Sequence, residues 1–459
     1  MLKINSTLLS ALRNIFCKFI YNFFEKYSSR YFLLIFRRHI EALLFIFIAM
    51  PYALAFEIGA GIHLGQNRPY SNLALPSLRM LDFSSFRDEI YWHRIENDDG
   101  VLDVSKGPAP LLSLLRKPRY SHSSMLVLAY GHPSYDGASR PMTSGAIEGF
   151  KRYAVAVAKS VPEAGYLEIW NEWNHVIGVP QRTKGDASGY LRLVEDVAPA
   201  LRDSGSKSKI VVGALADDYP DWAFAKQLVS GGILTHADYF SVHLYNYSEG
   251  RNAVPAEMFS RLSRLQKILT DGNGGKPFPV LVTEFGWPTH LGKRGISESR
   301  AGDYVSQFFL LAPSFSWLKG AWVYELFDSG TTDDAVEHNF GQLKADGKPK
   351  QGMCKVRGAI KILRNSSFIK SERVDKNVQW LVYKVGARFF NIFFTIEKDV
   401  EKRWSVKSGN ISVLDFCQYA SAGDSAEENV STFFGVSNQP RIIVSDEVPL
   451  IFSELLVGR

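Results

Sequence analysis

From Glu57 to about Gly347 the chain alternates short apolar runs with helix-length amphipathic stretches. The runs 58–63, 84–88, 125–130, 166–170, 210–214, 239–243, 280–283 and 320–324 are rich in aliphatic and aromatic residues and are predicted as eight strands. Between them, stretches such as 145–161, 187–201, 256–270 and 299–311 repeat apolar residues at three- and four-residue spacing. That period predicts helices. Eight strands with intervening helices predict a closed parallel (β/α)8 barrel, a TIM barrel, over residues 56–347.

The pattern changes after Gly347-Lys348-Pro349. Residues 379–383, 389–395, 411–415 and 441–444 read as strands separated by polar turns such as Lys407-Ser408-Gly409-Asn410, and helical periodicity fades. The expectation for 361–459 is a small antiparallel β-sandwich packed on the barrel. Its first reading is as a structural cover for the barrel flank, with carbohydrate binding as the alternative.

Residues 1–55 change how the charge is read. The formal net charge of +6 suggests a nucleic-acid partner, but seven basic residues against two acidic ones lie in this segment. The rest is left with 46 basic and 45 acidic residues, so phosphate-backbone binding is not expected. The apolar run 42–55 follows Arg37-Arg38 and ends in Ala53-Leu54-Ala55. A positive flank, a short apolar core and a small-x-small end form a secretory signal with cleavage before Phe56. The long stretch ahead of it leaves an uncleaved anchor, associated with the inner membrane, as the alternative. Either way the protein is expected to be exported, periplasmic or secreted. Of three cysteines, Cys354 and Cys417 lie beyond this segment; they read as free thiols, with a disulfide between them as the alternative.

Two strand ends hold the candidate chemistry. Leu167-Glu168-Ile169-Trp170-Asn171-Glu172-Trp173-Asn174 closes the fourth strand, and Val280-Leu281-Val282-Thr283-Glu284-Phe285-Gly286-Trp287 closes the seventh. Barrel enzymes keep catalytic groups at such C-terminal ends. A carboxylate that follows an aliphatic strand needs polar partners if it is buried. The pair therefore fits acid and base work on a glycosidic bond, with one carboxyl protonated and the other ionised.

With these motifs the chain resembles clan A glycoside hydrolases, and among them family 39, including glycosidases from exopolysaccharide operons. The resemblance implies a retaining mechanism with Glu172 as acid/base and Glu284 as nucleophile. It also implies that Arg87 steadies the nucleophile, that Trp92 faces the substrate, and that Asn171 binds a sugar hydroxyl. In the His243-Leu244-Tyr245 pattern, Tyr245 is expected to bond Glu284. Glu325 and Asp328, after the eighth strand, are expected to bind sugar hydroxyls. Glu325 is the substitute should Glu284 not be the nucleophile. Tyr130, His132, Tyr135, Trp287 and His63 are read as cleft-lining or loop-packing residues. Asp333, Asp334, Glu337 and His338 are read as a solvated acidic loop, not a metal cluster. The sequence departs from the family at Trp173, where many relatives have proline, and at Val323, where many have tryptophan; the neighbouring Trp322 has the opposite strand parity. The implied activity is hydrolysis of a polysaccharide, endo-acting on an exopolysaccharide, by a monomer that requires no metal or organic cofactor. An exo-glycosidase, a transglycosylase or a non-catalytic polysaccharide-binding protein are the alternatives.

Overall fold

All eight expected runs are strands of one closed parallel barrel in the computed structural model. It describes residues 56–459 except 67, 69, 217, 398–399, 401, 407–410, 423–428, 432, 446–454 and 458–459. The signal or anchor read in residues 1–55, and the turn at 407–410, lie outside the described residues. No described helix is long and apolar enough to cross a membrane. The barrel strands are β1 (Glu57–Gly61), β2 (Ser85–Tyr91), β3 (Met125–Ala129), β4 (Tyr166–Ile169), β5 (Lys209–Leu215), β6 (Tyr239–Leu244), β7 (Val280–Phe285) and β8 (Leu318–Val323). β8 pairs with β1 and closes the ring. The four expected helices form as Ser144–Ser160, Ala187–Asp203, Pro255–Gly272 and Glu298–Leu311. Thr143, Asp186 and Ser297 cap three of them through side-chain oxygens that accept from backbone N–H groups.

Side chains from alternate positions fill the barrel. Met125, Tyr166, Val211, Tyr239, Leu281 and Trp322 form one buried apolar layer. A polar layer lies above it, toward the C-terminal ends of the strands. This plug is the floor on which the candidate site stands.

Beyond the barrel the described residues form nine antiparallel strands: β9 (Ser367–Asp375), β10 (Val378–Val385), β11 (Arg388–Thr395), β12 (Lys402–Val406), β13 (Ile411–Leu414), β14 (Asn429–Ser431), β15 (Phe433–Val436), β16 (Arg441–Ser445) and β17 (Leu455–Val457). They make a six-stranded sheet, β14-β13-β16-β11-β10-β9, and a three-stranded sheet, β15-β12-β17. Trp380, Phe393, Ile443 and Val436 are buried together between the two sheets. The opposite face of the larger sheet, with Leu381, Tyr383, Ile392 and Ile442, joins the main hydrophobic core. Tyr383 donates its hydroxyl to the carbonyl of Leu310 on a barrel helix. A sheet buried on both faces in this way is part of the barrel's own core.

Two expectations change here. The sandwich does not start at residue 361, because the helix Met353–Asn365 runs through that position and a second helix, Phe416–Ala422, packs beside it. Cys354 and Cys417 are not free thiols but a disulfide, with Cα atoms 4.8 Å apart. The physical reason is the close approach of these two helices. A Cβ added at Gly358 would lie 2.4 Å from the carbonyl oxygen of Phe416, so only glycine permits the contact. The bridge closes a loop across 63 positions. Cys354→Ser is expected to lower unfolding free energy by roughly 2–4 kcal/mol, chiefly by freeing the unfolded chain. Denaturant unfolding of oxidised wild type against the variant measures it, and coincident curves would contradict it.

Candidate active site

The two-residue period of β2 turns Ser85, Arg87 and Glu89 toward the barrel interior. Ser85 Oγ accepts from Trp322 Nε1 at 2.8 Å, at the level of the apolar layer. Arg87 comes next and is 1% exposed. Its guanidinium is divided among three acceptors, each at 2.7 Å: Glu168 Oε2, Glu284 Oε1 and Asn171 Oδ1. A buried cation is tolerable only with such partners. Here the partners include one of the two candidate catalytic carboxylates.

Glu284 ends β7. Besides Arg87 it accepts from the Tyr245 hydroxyl at 2.7 Å, and His243 Nδ1 lies 3.5 Å away. Burial alone would raise its carboxyl. The charges of His243 and Arg87, with the Tyr245 hydrogen bond, outweigh burial and hold it below the ordinary range. At neutral pH Glu284 is an anion.

Glu172 lies just past β4 with a left-handed backbone, φ 50°, and Trp170 shares that conformation at φ 67°. Such angles are unfavourable for residues with a Cβ and persist where the surroundings impose them. Here the Glu172 N–H donates to the carbonyl of Ala214 on β5 at 3.1 Å, fixing the turn. His243 Nδ1 lies 2.7 Å from Glu172 Oε1. Burial would lower the His243 pKa, yet the charge of Glu284 and the contact with Glu172 raise it. One oxygen of Glu172, one ring nitrogen of His243 and one oxygen of Glu284 all lie within 4.8 Å of one another. Three such groups can also serve as metal ligands. The Arg87 guanidinium already supplies a cation to Glu284, so a metal ion there would meet like charge.

Both carboxylates open into one cavity of about 300 Å³. His63, Glu89, Tyr130, Asn171, Tyr245, Tyr247, Tyr324, Glu337 and Phe340 are among its walls. Asn171 Nδ2 donates to the Tyr130 hydroxyl at 2.9 Å, so Asn171 is pinned on both sides.

The sequence matches no protein-family model and no curated protein. Solved structures do match the fold. A family 39 glycoside hydrolase from Bacteroides cellulosilyticus is similar at TM-score 0.66 and 19% identity, over 85% of this chain and 81% of that one. A family 39 enzyme from Xanthomonas axonopodis gives 0.57 at 14%, over 86% and 94%. A monomeric beta-xylosidase from Caulobacter crescentus gives 0.56 at 13%, over 85% and 96%. The likeness is one of fold.

Six of the nine expected site residues come together: Asn171, Glu172, Tyr245 and Glu284 line this cavity, and Arg87 and His243 hold the two carboxylates from behind. Trp92 does not. β2 ends at Tyr91, and the short helix Trp92–Ile95 rotates the indole into the core. There it stacks on Tyr135, donates to the Glu96 carboxylate and is fully buried. Glu325 does not line the cavity either. It is 1% exposed, 3.6 Å from His63 Nε2, and burial raises its carboxyl to about 7 against the opposing pull of His63. Asp328 is held by Lys350 Nζ at 2.6 Å and by the Gly341 N–H, away from the cavity. Of the residues read as cleft or loop, His63 and Tyr130 line the cavity, whereas His132, Tyr135 and Trp287 do not. Glu337, expected in a solvated loop, forms part of the cavity mouth.

The two departures at β4 and β8 have different outcomes. Trp173 is buried beneath the loop after β4, its Nε1 donating to the carbonyl of Asp186. Val323 is buried and Trp322 belongs to the apolar plug, so neither reaches the cavity. Tyr324 does, with its ring 6.1 Å from Tyr245 and 5.3 Å from Phe340. The aromatic wall is therefore built by a residue that was not singled out.

Proposed function

We propose that the protein is a retaining glycoside hydrolase acting on a polysaccharide, with Glu284 as nucleophile and Glu172 as acid/base. The observation that carries the reading is the closeness of the pair: their nearest oxygens lie within 4.8 Å. Retaining enzymes keep their carboxyls about 5–5.5 Å apart, whereas inverting enzymes leave about 6.5–9.5 Å for a water. Glu284, held anionic by Arg87 and Tyr245, attacks the anomeric carbon. Glu172 and His243 share a proton across their 2.7 Å contact, and Glu172 delivers it to the leaving oxygen. Glycosylation neutralises Glu284, and Glu172 then takes a proton from the incoming water. The fold of family 39 hydrolases supports the same assignment. An exported enzyme working on an exopolysaccharide agrees with the reading of residues 1–55. Proton NMR of the first product formed from an aryl glycoside tests the mechanism. The anomeric configuration of the substrate is expected in that product, and inversion would sink the proposal.

Tyr245→Phe probes the division of charge. The lost hydroxyl favoured the Glu284 anion, so the Glu284 pKa rises in the variant. A nucleophile that must be ionised then fails earlier on acidification. The acid limb of the kcat/KM profile is expected to move to higher pH by about one unit, the size of a lost hydrogen bond to a charge. An unmoved acid limb would contradict the role given to Tyr245.

A further inference from the structure

The wall of the cavity formed by β2 and the loop after β1 has a composition that the hydrolytic steps do not use. Glu89 lies two residues beyond Arg87 on the inward face and is 4% exposed, yet lines the cavity. Its carboxylate meets His63 Nδ1, 3.1 Å from Oε1 and 3.4 Å from Oε2, and shares a hydrogen bond with the Asp88 carboxyl. A carboxylate has about four acceptor positions, so these two partners leave Glu89 acceptor capacity for a donor in the cavity that it lines. The His63 pair also fixes its charge state. Burial would neutralise Glu89, but His63, with Arg87 behind, holds its carboxyl well below the usual range. His63 itself is raised to about 9, the charge and hydrogen bond of Glu89 overcoming the effect of burial.

The surrounding charge sharpens the point. Glu89, Glu172, Glu284 and Glu337 all line the cavity; the basic side chains that line it are His63, already paired with Glu89, and His175, beside Glu172, and among the described residues no lysine or arginine does. Arg87 lies behind the wall with its guanidinium held by Glu168, Glu284 and Asn171. A carboxylate on the sugar would lose its hydration and meet like charge. A sugar hydroxyl would instead donate to a charged acceptor, among the stronger neutral-to-ion contacts.

We propose that Glu89 is a specificity-determining residue of this cavity: it accepts a hydrogen bond from one hydroxyl of the reacting sugar and turns away sugars that carry a carboxylate, so the substrate is a neutral glycoside and not a uronide. The inference rests on the hydrolase reading above and deepens it. Glu89 touches neither the bond that breaks nor the proton that moves, so its signature is selectivity between sugars.

The test uses the full chain and matched dinitrophenyl glycosides of both anomeric forms: glucoside, galactoside, mannoside and xyloside, with the glucuronide and galacturonide. Wild type is expected to turn over at least one neutral glycoside about 100-fold faster in kcat/KM than the uronide of the same stereochemistry. Monodeoxy analogues of that neutral sugar then locate the contact. One of them is expected to lose about 10- to 100-fold with wild type, the range for a hydrogen bond to a charged group. Glu89→Gln is expected to slow the parent glycoside by a similar factor, to leave that one deoxy analogue unchanged, and to narrow the preference over the uronide. The wild-type comparisons stand even if the variant does not fold. Equal turnover of uronide and neutral glycoside by wild type would overturn the Glu89 assignment while leaving the hydrolase reading intact. So would a set of deoxy analogues whose losses are the same in wild type and Glu89→Gln. Absence of turnover with every glycoside, and with polysaccharides, would overturn the hydrolase reading and this inference together.

Discussion

Glu284→Ala is expected to lose about 10²–10⁶ in kcat on natural substrates, equivalent to roughly 3–8 kcal/mol in the barrier, and to form a glycosyl azide of inverted configuration when azide is added. Truncation removes the attacking carboxylate and leaves space beside Arg87 and Tyr245, which donate to it in the wild type. No covalent glycosyl-enzyme can form in the variant. A small anion in the vacated space meets the same guanidinium and hydroxyl and can attack the anomeric carbon directly. A single displacement inverts configuration. Mass spectrometry and NMR of the product decide the outcome. Near-normal activity in the variant would remove Glu284 from the mechanism. Glu325 is a poor replacement, because it is walled off from the cavity and burial raises its carboxyl to about 7.

The barrel was legible because parallel strands and their covering helices leave two clear periods in the chain. Each expected barrel strand lies within a few residues of the observed one. Arg87, Asn171, Glu172, His243, Tyr245 and Glu284 were legible for a related reason: each sits on a barrel strand or just past its end, where position along the chain fixes position in space. Residues beyond a break in the strand were not. Trp92 was placed by resemblance alone; it follows β2 by one residue, on the parity opposite to Arg87 and Glu89, and the chain there has already turned helical, so its indole packs into the core. The loop after β8 sends Glu325 and Asp328 inward to His63 and Lys350, partners far away in sequence.

Two residues that line the cavity did have a signal. Tyr324 lies two positions after the inward-facing Trp322, and Glu89 two positions after Arg87, so the strand period extended by one step reaches both. Glu337 had none, because a long loop brings it to the cavity mouth. The disulfide was likewise hidden. It depends on how two helices pack, and its cysteines are separated by 63 positions that include five strands of the sandwich.

Glu172→Ala is expected to separate the two half-reactions that Glu284→Ala abolishes together. The nucleophile remains, still held as an anion by Arg87 and Tyr245. Substrates whose leaving group needs no proton, such as dinitrophenyl glycosides, should therefore still glycosylate Glu284 at a rate near that of wild type. Natural glycosides need the proton and should slow by a factor of about 10²–10⁴, the usual reach of general acid catalysis. Removing the base also stalls the second step, so activated substrates should give a burst followed by a slow steady state, with the glycosyl-enzyme visible by intact-protein mass. Azide needs no base and should restore turnover, giving a glycosyl azide of retained configuration after two displacements. His243 sharpens the comparison. It lies 2.7 Å from Glu172 and 3.5 Å from Glu284, so the variant loses the Glu172 charge together with one support of the His243 charge, while Arg87 and Tyr245 still hold Glu284 as the anion. The acid limb for glycosylation should accordingly not move to higher pH. Azide products of the same configuration from both variants would mean that the two glutamates do not divide the work in this way.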